Sequence, residues 1–278
     1  MTLYLPPLAH LPRALESLDE MIALLERALA PAGHFRRVRG SQENDLQLAI
    51  TVHALNSLDA ARAAHTLGSK HLVGPLSVEF RVIFEGLVKV RWMRRHPLRA
   101  TNYLMSEPFE RYVLANDHVR RSDKWPGIVA ECKATVAQHQ PLLNLPDATK
   151  GALKRPDFKA IAKGLRMPPL EVMAKALGMD EDVYLIDVDV PSLYPHTAVT
   201  YTKNFHKRNN ADGTAYLSTE ADPIMLLGLV TRTATRVGEM LKEVLDIFSN
   251  GAIAFDADSA ATRLADTARA VRGYMPSH

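Results

Sequence analysis

Apolar residues recur three and four positions apart along most of this chain, the spacing that lines one face of an α-helix. Leu15, Leu18, Ile22, Leu25 and Leu29 form such a stripe over 14–30, and Pro31 and Gly33 end it. Ser41 stands where a cap belongs ahead of a second stripe through Leu46, Ala49, Ile50, His53, Leu55 and Ala61, which Gly68 closes. Pro75 suits the first turn of a third helix that reaches His96. A fourth runs over 98–121, with Pro108 forcing a kink or a restart. Trp125-Pro126-Gly127 reads as a turn, and 128–143 as a helix. The pattern weakens over 144–169, where Pro146, Pro156, Pro168 and Pro169 mark a candidate internal linker. Short helices fit 158–165 and 170–177. The stretch 183–194 alternates like a strand, yet its setting favours a helix ending near Pro191. Segments 198–203 and 214–218 flank Asn210-Ala-Asp-Gly213, which has the chemistry of a small hairpin. Pro223 opens a strong helix that Asn250-Gly251 ends, and an alanine-rich helix fills 258–271. The expectation is a single all-α domain over 1–278, a bundle of about eight to ten helices with at most one short β-hairpin.

The third helix carries charge in an odd place. On a wheel of about 100° per residue, Leu76, Phe80, Ile83, Phe84, Leu87 and Val90 form one apolar arc. Val78, Val82, Val88, Trp92 and Met93 form a second, and Arg81 and Glu85 fall inside it. A helix apolar on both sides belongs in a core. The two charges lie one turn apart and can pair. Burying such a pair is a poor way to gain stability, because desolvation consumes much of the attraction. A buried Arg81–Glu85 pair therefore reads either as a structural tie between helices or as part of a binding site. A binding site predicts that the pair lines a pocket; a structural tie predicts full enclosure without a cavity.

Composition narrows the class. Apolar residues make up 47% and charged residues 23% of the 278 residues, enough to bury a core without staples. The single cysteine, Cys132, excludes an intramolecular disulfide and suits a reducing compartment. The first residues lack the charged start and long apolar run of a signal peptide. No stretch approaches the roughly 18 uninterrupted apolar residues of a membrane span. The expected setting is the cytoplasm, with no membrane partner. The net charge of +3 gives no global field for nucleic acid. Basic knots stand at 34–39, 91–99, 118–124 and 203–208; they read as helix ends or as a shared anion face. Glu-x2-His pairs, His-Glu-x2-His, a Gly-x-Ser-x-Gly elbow and a Gly-rich Lys-Ser/Thr loop are all missing from the sequence. No metal and no cofactor are expected. His53 and His65 read as core histidines and Cys132 as an inert thiol.

Arg81-x3-Glu85, then His96-Pro97, then Ala100-x2-Tyr103 resembles a family of bacterial all-helical proteins of unknown function. Its members carry an Arg-x3-Glu helix and an A-x2-Y step, and later a Tyr-rich helix ending in Ser-x3-His. Tyr184 and Ser192-Leu-Tyr-Pro-His196 match the later signature. The resemblance covers roughly Leu46 to Lys207. It departs at Pro191 and Pro195, which bracket the Ser-x3-His step and disfavour a helix there. The resemblance implies a helical fold and candidate binding positions at Arg81, Glu85, Tyr103, Tyr184, Ser192 and His196, with no reaction attached. The expected partner is a small ligand or a protein, a second copy of the chain included. An alternative comes from the Arg-His spacing of metal-independent helical ribonucleases of the HEPN kind, toxins or phage-defence effectors that act on RNA. Arg111-x6-His118 fits it best, with Arg111 and His118 binding and protonating the scissile phosphate. With 22 Arg and 11 His in the chain, such spacings also arise by chance.

Overall fold

A computed structural model of the chain describes residues 6–31, 41–118, 125–139, 157–179, 205–209, 215–248 and 251–272. A 3₁₀ turn at Pro6–His10 leads into nine α-helices among these residues. They are α1 (Leu11–Leu29), α2 (Gln42–Ser69), α3 (Val73–Arg95), α4 (Leu98–His118) and α5 (Trp125–His139), then α6 (Phe158–Leu165), α7 (Leu170–Ala176), α8 (Pro223–Leu245) and α9 (Gly251–Arg272). Strands β1 (Phe205–Asn209) and β2 (Ala215–Ala221) pair antiparallel, with Lys207 opposite Leu217 and Asn209 opposite Ala215. The fold is all-α, as the apolar spacing implies, with one hairpin among the described residues. The strands lie a few residues later than the turn chemistry suggested.

The chain divides into two compact units, neither of them continuous in sequence. The first comprises Met1–His34, Thr51–Lys89 and Ala174–His278; the second, Phe35–Ile50 and Val90–Met173. The division therefore falls within α2 and within α3, inside unbroken helices. Residues 157–169 of the candidate linker belong to the second unit as α6 and the short connection through Pro168 and Pro169, and 144–156 lie outside the described residues.

In the first unit α1 packs on α8 and α9. Its stripe is buried as the spacing requires, with Leu18, Met21 and Leu25 inside. Asp222 caps α8 by accepting hydrogen bonds from the backbone N–H of Ile224 (2.8 Å) and Met225 (3.0 Å), and Pro223 fills the first turn, where its missing N–H costs nothing. Arg27–Asp256 (3.2 Å) and Arg263–Glu20 join α1 to α9 at the surface. Gly68 does not end α2. It lies where a Cβ would come within 3.0 Å of Val230 and 3.2 Å of Leu15. The left-handed residue after the helix is His71 (φ 58°), in the turn before α3.

In the second unit α4 packs against α5 and α6. Met105, Phe109, Cys132, Phe158, Ile161 and Leu165 form its main core, with Tyr112 meeting Phe158 edge-on at 5.1 Å. Asp157 caps α6 by accepting from Ala160 N–H at 3.1 Å. Pro108 lies within α4 without ending it. Trp125-Pro126 begins α5 rather than preceding it, because a proline in the first turn suits a helix start. Ala49, Met93 and Ala100 form a smaller core with Leu46 and Met167 around it.

Candidate functional site

The charged column on α3 is formed, but it is not enclosed. Arg81 Nε donates to Glu85 Oε1 at 2.7 Å, and Lys89 Nζ lies 3.7 Å from the other carboxylate oxygen of Glu85. Their i, i+4 spacing along one helix face brings the three together. The side chains of Arg81 and Glu85 are 38% and 28% exposed. Val78 and Val82, on the same face, are 39% and 42% exposed. The first apolar arc is as expected, with Leu76, Phe80, Ile83, Phe84 and Leu87 fully buried. Of the second arc only Val88 and Met93 are buried. The expectation of a buried pair is corrected accordingly. An apolar valine does not certify burial, because much of any folded surface is apolar. The pair lines the outer side of a helix buried on one side.

Beneath this column the sequence understated α2. His53 is buried, and its backbone carbonyl lies 3.7 Å from where a Cβ on Gly86 would stand. Burial, and then the charge of Lys89, push its pKa down to about 4. The imidazole is thus neutral at pH 7, as a core histidine should be. Ser57, one turn on, is fully enclosed, and a Cβ on Gly86 would approach its Oγ to 2.9 Å. Gly86 therefore lets α2 and α3 approach closely where the column stands.

The other family-derived positions do not assemble around Arg81 and Glu85. Tyr103 belongs to the second unit, half-buried beside Ala49, Met93 and Ala100. Burial, with Glu110 nearby, raises its phenol pKa. Tyr184, Ser192 and His196 lie outside the described residues.

A second polar cluster went unread in the sequence. Asp45, Thr101 and Asn102 are all buried, and Thr101 Oγ1 donates to Asp45 Oδ2 at 2.9 Å. Ser41 caps α2 here, its Oγ accepting from Asn44 N–H at 3.3 Å. An acid just after a cap looks like a solvated partner of the helix dipole, which disguised Asp45 as a surface residue. The signal that could have found it is the neighbouring apolar Leu46 and Ala49, which turn this end of α2 inward.

Arg111 is exposed and held by two carboxylates, Glu107 on its own helix (3.5 Å) and Glu131 on α5. That arrangement repels a phosphate from the guanidinium. His118 ends α4, and its side chain lies outside the described ones. Cys132 is buried, donates to the Pro108 carbonyl at 3.3 Å, and has its pKa pushed up to about 11 mainly by burial. Such a thiol is no nucleophile at neutral pH. Among the described residues no group of three or more His, Cys, Asp or Glu side chains could hold a metal ion, and no helix is long and apolar enough to cross a membrane. Comparison with known proteins adds no relative: no family model, curated protein or solved structure matches the chain.

Proposed function

We propose that this chain is a cytoplasmic docking module without catalytic machinery of its own, and that it takes a protein partner on the outer face of α3. One observation carries the reading. Val78, Arg81, Val82, Glu85 and Lys89 make a half-exposed face in which apolar and charged groups alternate at helical spacing. Apolar groups of this kind give a partner area to bury, and the charged column sets its register and orientation. Close packing of α2 on α3 at Gly86 backs the helix that carries the face. An amphipathic helix fits such a surface by laying its own apolar stripe along the valines. The ribonuclease reading loses ground, because Arg111 is engaged by two glutamates.

The test compares two surface charges. Val82→Glu places a carboxylate in the middle of the face; Leu114→Glu places one on α4, at a side chain 62% exposed. Both variants should melt within a few degrees of the parent. Proteins that co-purify with the parent should be lost with Val82→Glu and kept with Leu114→Glu. Retention of the same proteins by Val82→Glu would sink the reading.

A further inference from the structure

We propose that a cleft between α8 and α9 in the first unit binds an amphipathic anion, a medium-chain aliphatic carboxylate, independently of the α3 face. The cleft encloses about 300 Å³, at the lower end of the range that small-molecule sites occupy. Its walls differ in chemistry. The α9 wall is apolar and low, made by Ala257, Ala261, Ala265 and Ala268 at helical spacing. Met21, Leu241 and Leu264, all buried, close the bottom. Gly238 makes that floor, since a Cβ there would come within 3.3 Å of the Met21 sulfur. Small residues on both helices usually bring helices into contact; here they leave a space that an aliphatic chain fills.

The α8 wall carries the polar groups Thr235, Glu239 and Lys242 along one face. Their charges decide the class of ligand. Glu239 Oε1 accepts from Arg236 Nη1 at 2.9 Å, which offsets its charge, while its Oε2 is buried without a hydrogen bond among the described residues. Arg236 is itself fixed over the ring of Phe84, 5.4 Å from its centroid. Lys242 is exposed at the rim and has no ion pair among the described residues. The cleft thus presents one uncompensated positive charge beside an apolar trough. At the rim, where Lys242 stands, that matches a carboxylate head with an aliphatic tail in the trough.

Isothermal titration of the full chain with decanoate, below the concentration at which it forms micelles, tests the assignment. One saturable site is expected, with affinity rising about fourfold for each added methylene from hexanoate to decanoate. Decylamine and decanol should bind at least tenfold more weakly. Lys242→Glu should reverse the order of decanoate and decylamine. Ala261→Phe should fill the trough and abolish binding; Ala265→Phe, at an exposed position, serves the same purpose if the first variant folds poorly. Val82→Glu should leave the titration unchanged, so this proposal and the docking face fail separately. Absence of saturable binding, equal affinity for decanol, or binding that survives the folded phenylalanine variant would overturn it.

Discussion

His53 holds its place only as a neutral ring. Its pKa is pushed down to about 4 by burial and by Lys89, against an ordinary value of 6.5. The folded-state pKa lies below the unfolded one, so between those two values the unfolded chain binds the proton and the folded chain does not. Stability from this residue is therefore complete above about pH 6.5 and is lost as pH falls toward 4. The loss amounts to about 3 kcal/mol over the window, following the displacement of the pKa. Denaturant midpoints measured from pH 7 to pH 4 should fall more steeply in the parent than in His53→Leu, and the imidazole proton resonances should titrate near pH 4. An imidazole that titrates near 6.5 would refute the argument. At this scale the sequence was readable where burial follows from neighbours of the same kind. His53 stands in an apolar stripe and is buried, whereas His65, read from the sequence in the same way, is only partly buried. Asp45 stood behind a cap and was not recognised, because its partner Thr101 comes from another helix, 56 residues away. Spacing along the chain says nothing about such a pair.

Helix α3 shows what one element can and cannot reveal. Its periodicity predicted both the helix and the i, i+4 pair, and both are present. The pair lies nearer the surface than the wheel implies, because a wheel records which residues share a face and not whether anything covers that face. The consequence is energetic. A pair enclosed in a core would lose about 3–5 kcal/mol when one member is removed. At 38% and 28% exposure, water screens the attraction and solvates the survivor. Arg81→Ala should therefore cost no more than about 1 kcal/mol, the scale of surface pairs, and Glu85→Gln should cost less. Thermal or denaturant unfolding of both variants measures this, and a loss above about 3 kcal/mol would restore the enclosed cluster. Phe84→Ala, on the buried side of the same helix, should cost about 3–5 kcal/mol. The contrast assigns stability to one side of α3 and leaves the other available for binding.

For the whole molecule, the order of helices was legible and the grouping was not. Each helix announces itself by local spacing, whereas the units form from contacts between segments far apart in sequence. The weak, proline-rich stretch near 144–169 looked like the natural boundary. The actual boundaries fall at 34/35, 50/51, 89/90 and 173/174. A chain arranged in this way cannot be separated by one cut, and the second unit supplies a test. Its main core of Phe109, Cys132, Phe158 and Ile161 lies wholly within 90–173. Its smaller core does not, because Ala49 and Leu46 pack with Met93 and Ala100, and Asp45 accepts the hydrogen bond of Thr101. A fragment of 90–173 would expose Met93 and Ala100 and leave the hydroxyl of Thr101 without that partner, at a cost of about 1–3 kcal/mol for the hydrogen bond alone. Small domains have only about 5–15 kcal/mol of stability, so the loss of this core together with the hydrogen bond is decisive. The fragment is expected to show a broad, non-cooperative melt by circular dichroism. A chain that joins 35–50 to 90–173 through a short flexible linker, restoring the start of α2 without the 51–89 stretch of the first unit, is expected to melt more sharply and at a higher temperature. If 90–173 alone melted as cooperatively as the longer fragment, the Asp45–Thr101 contact and the Ala49 core would be accessory, and the second unit would be a continuous domain after all.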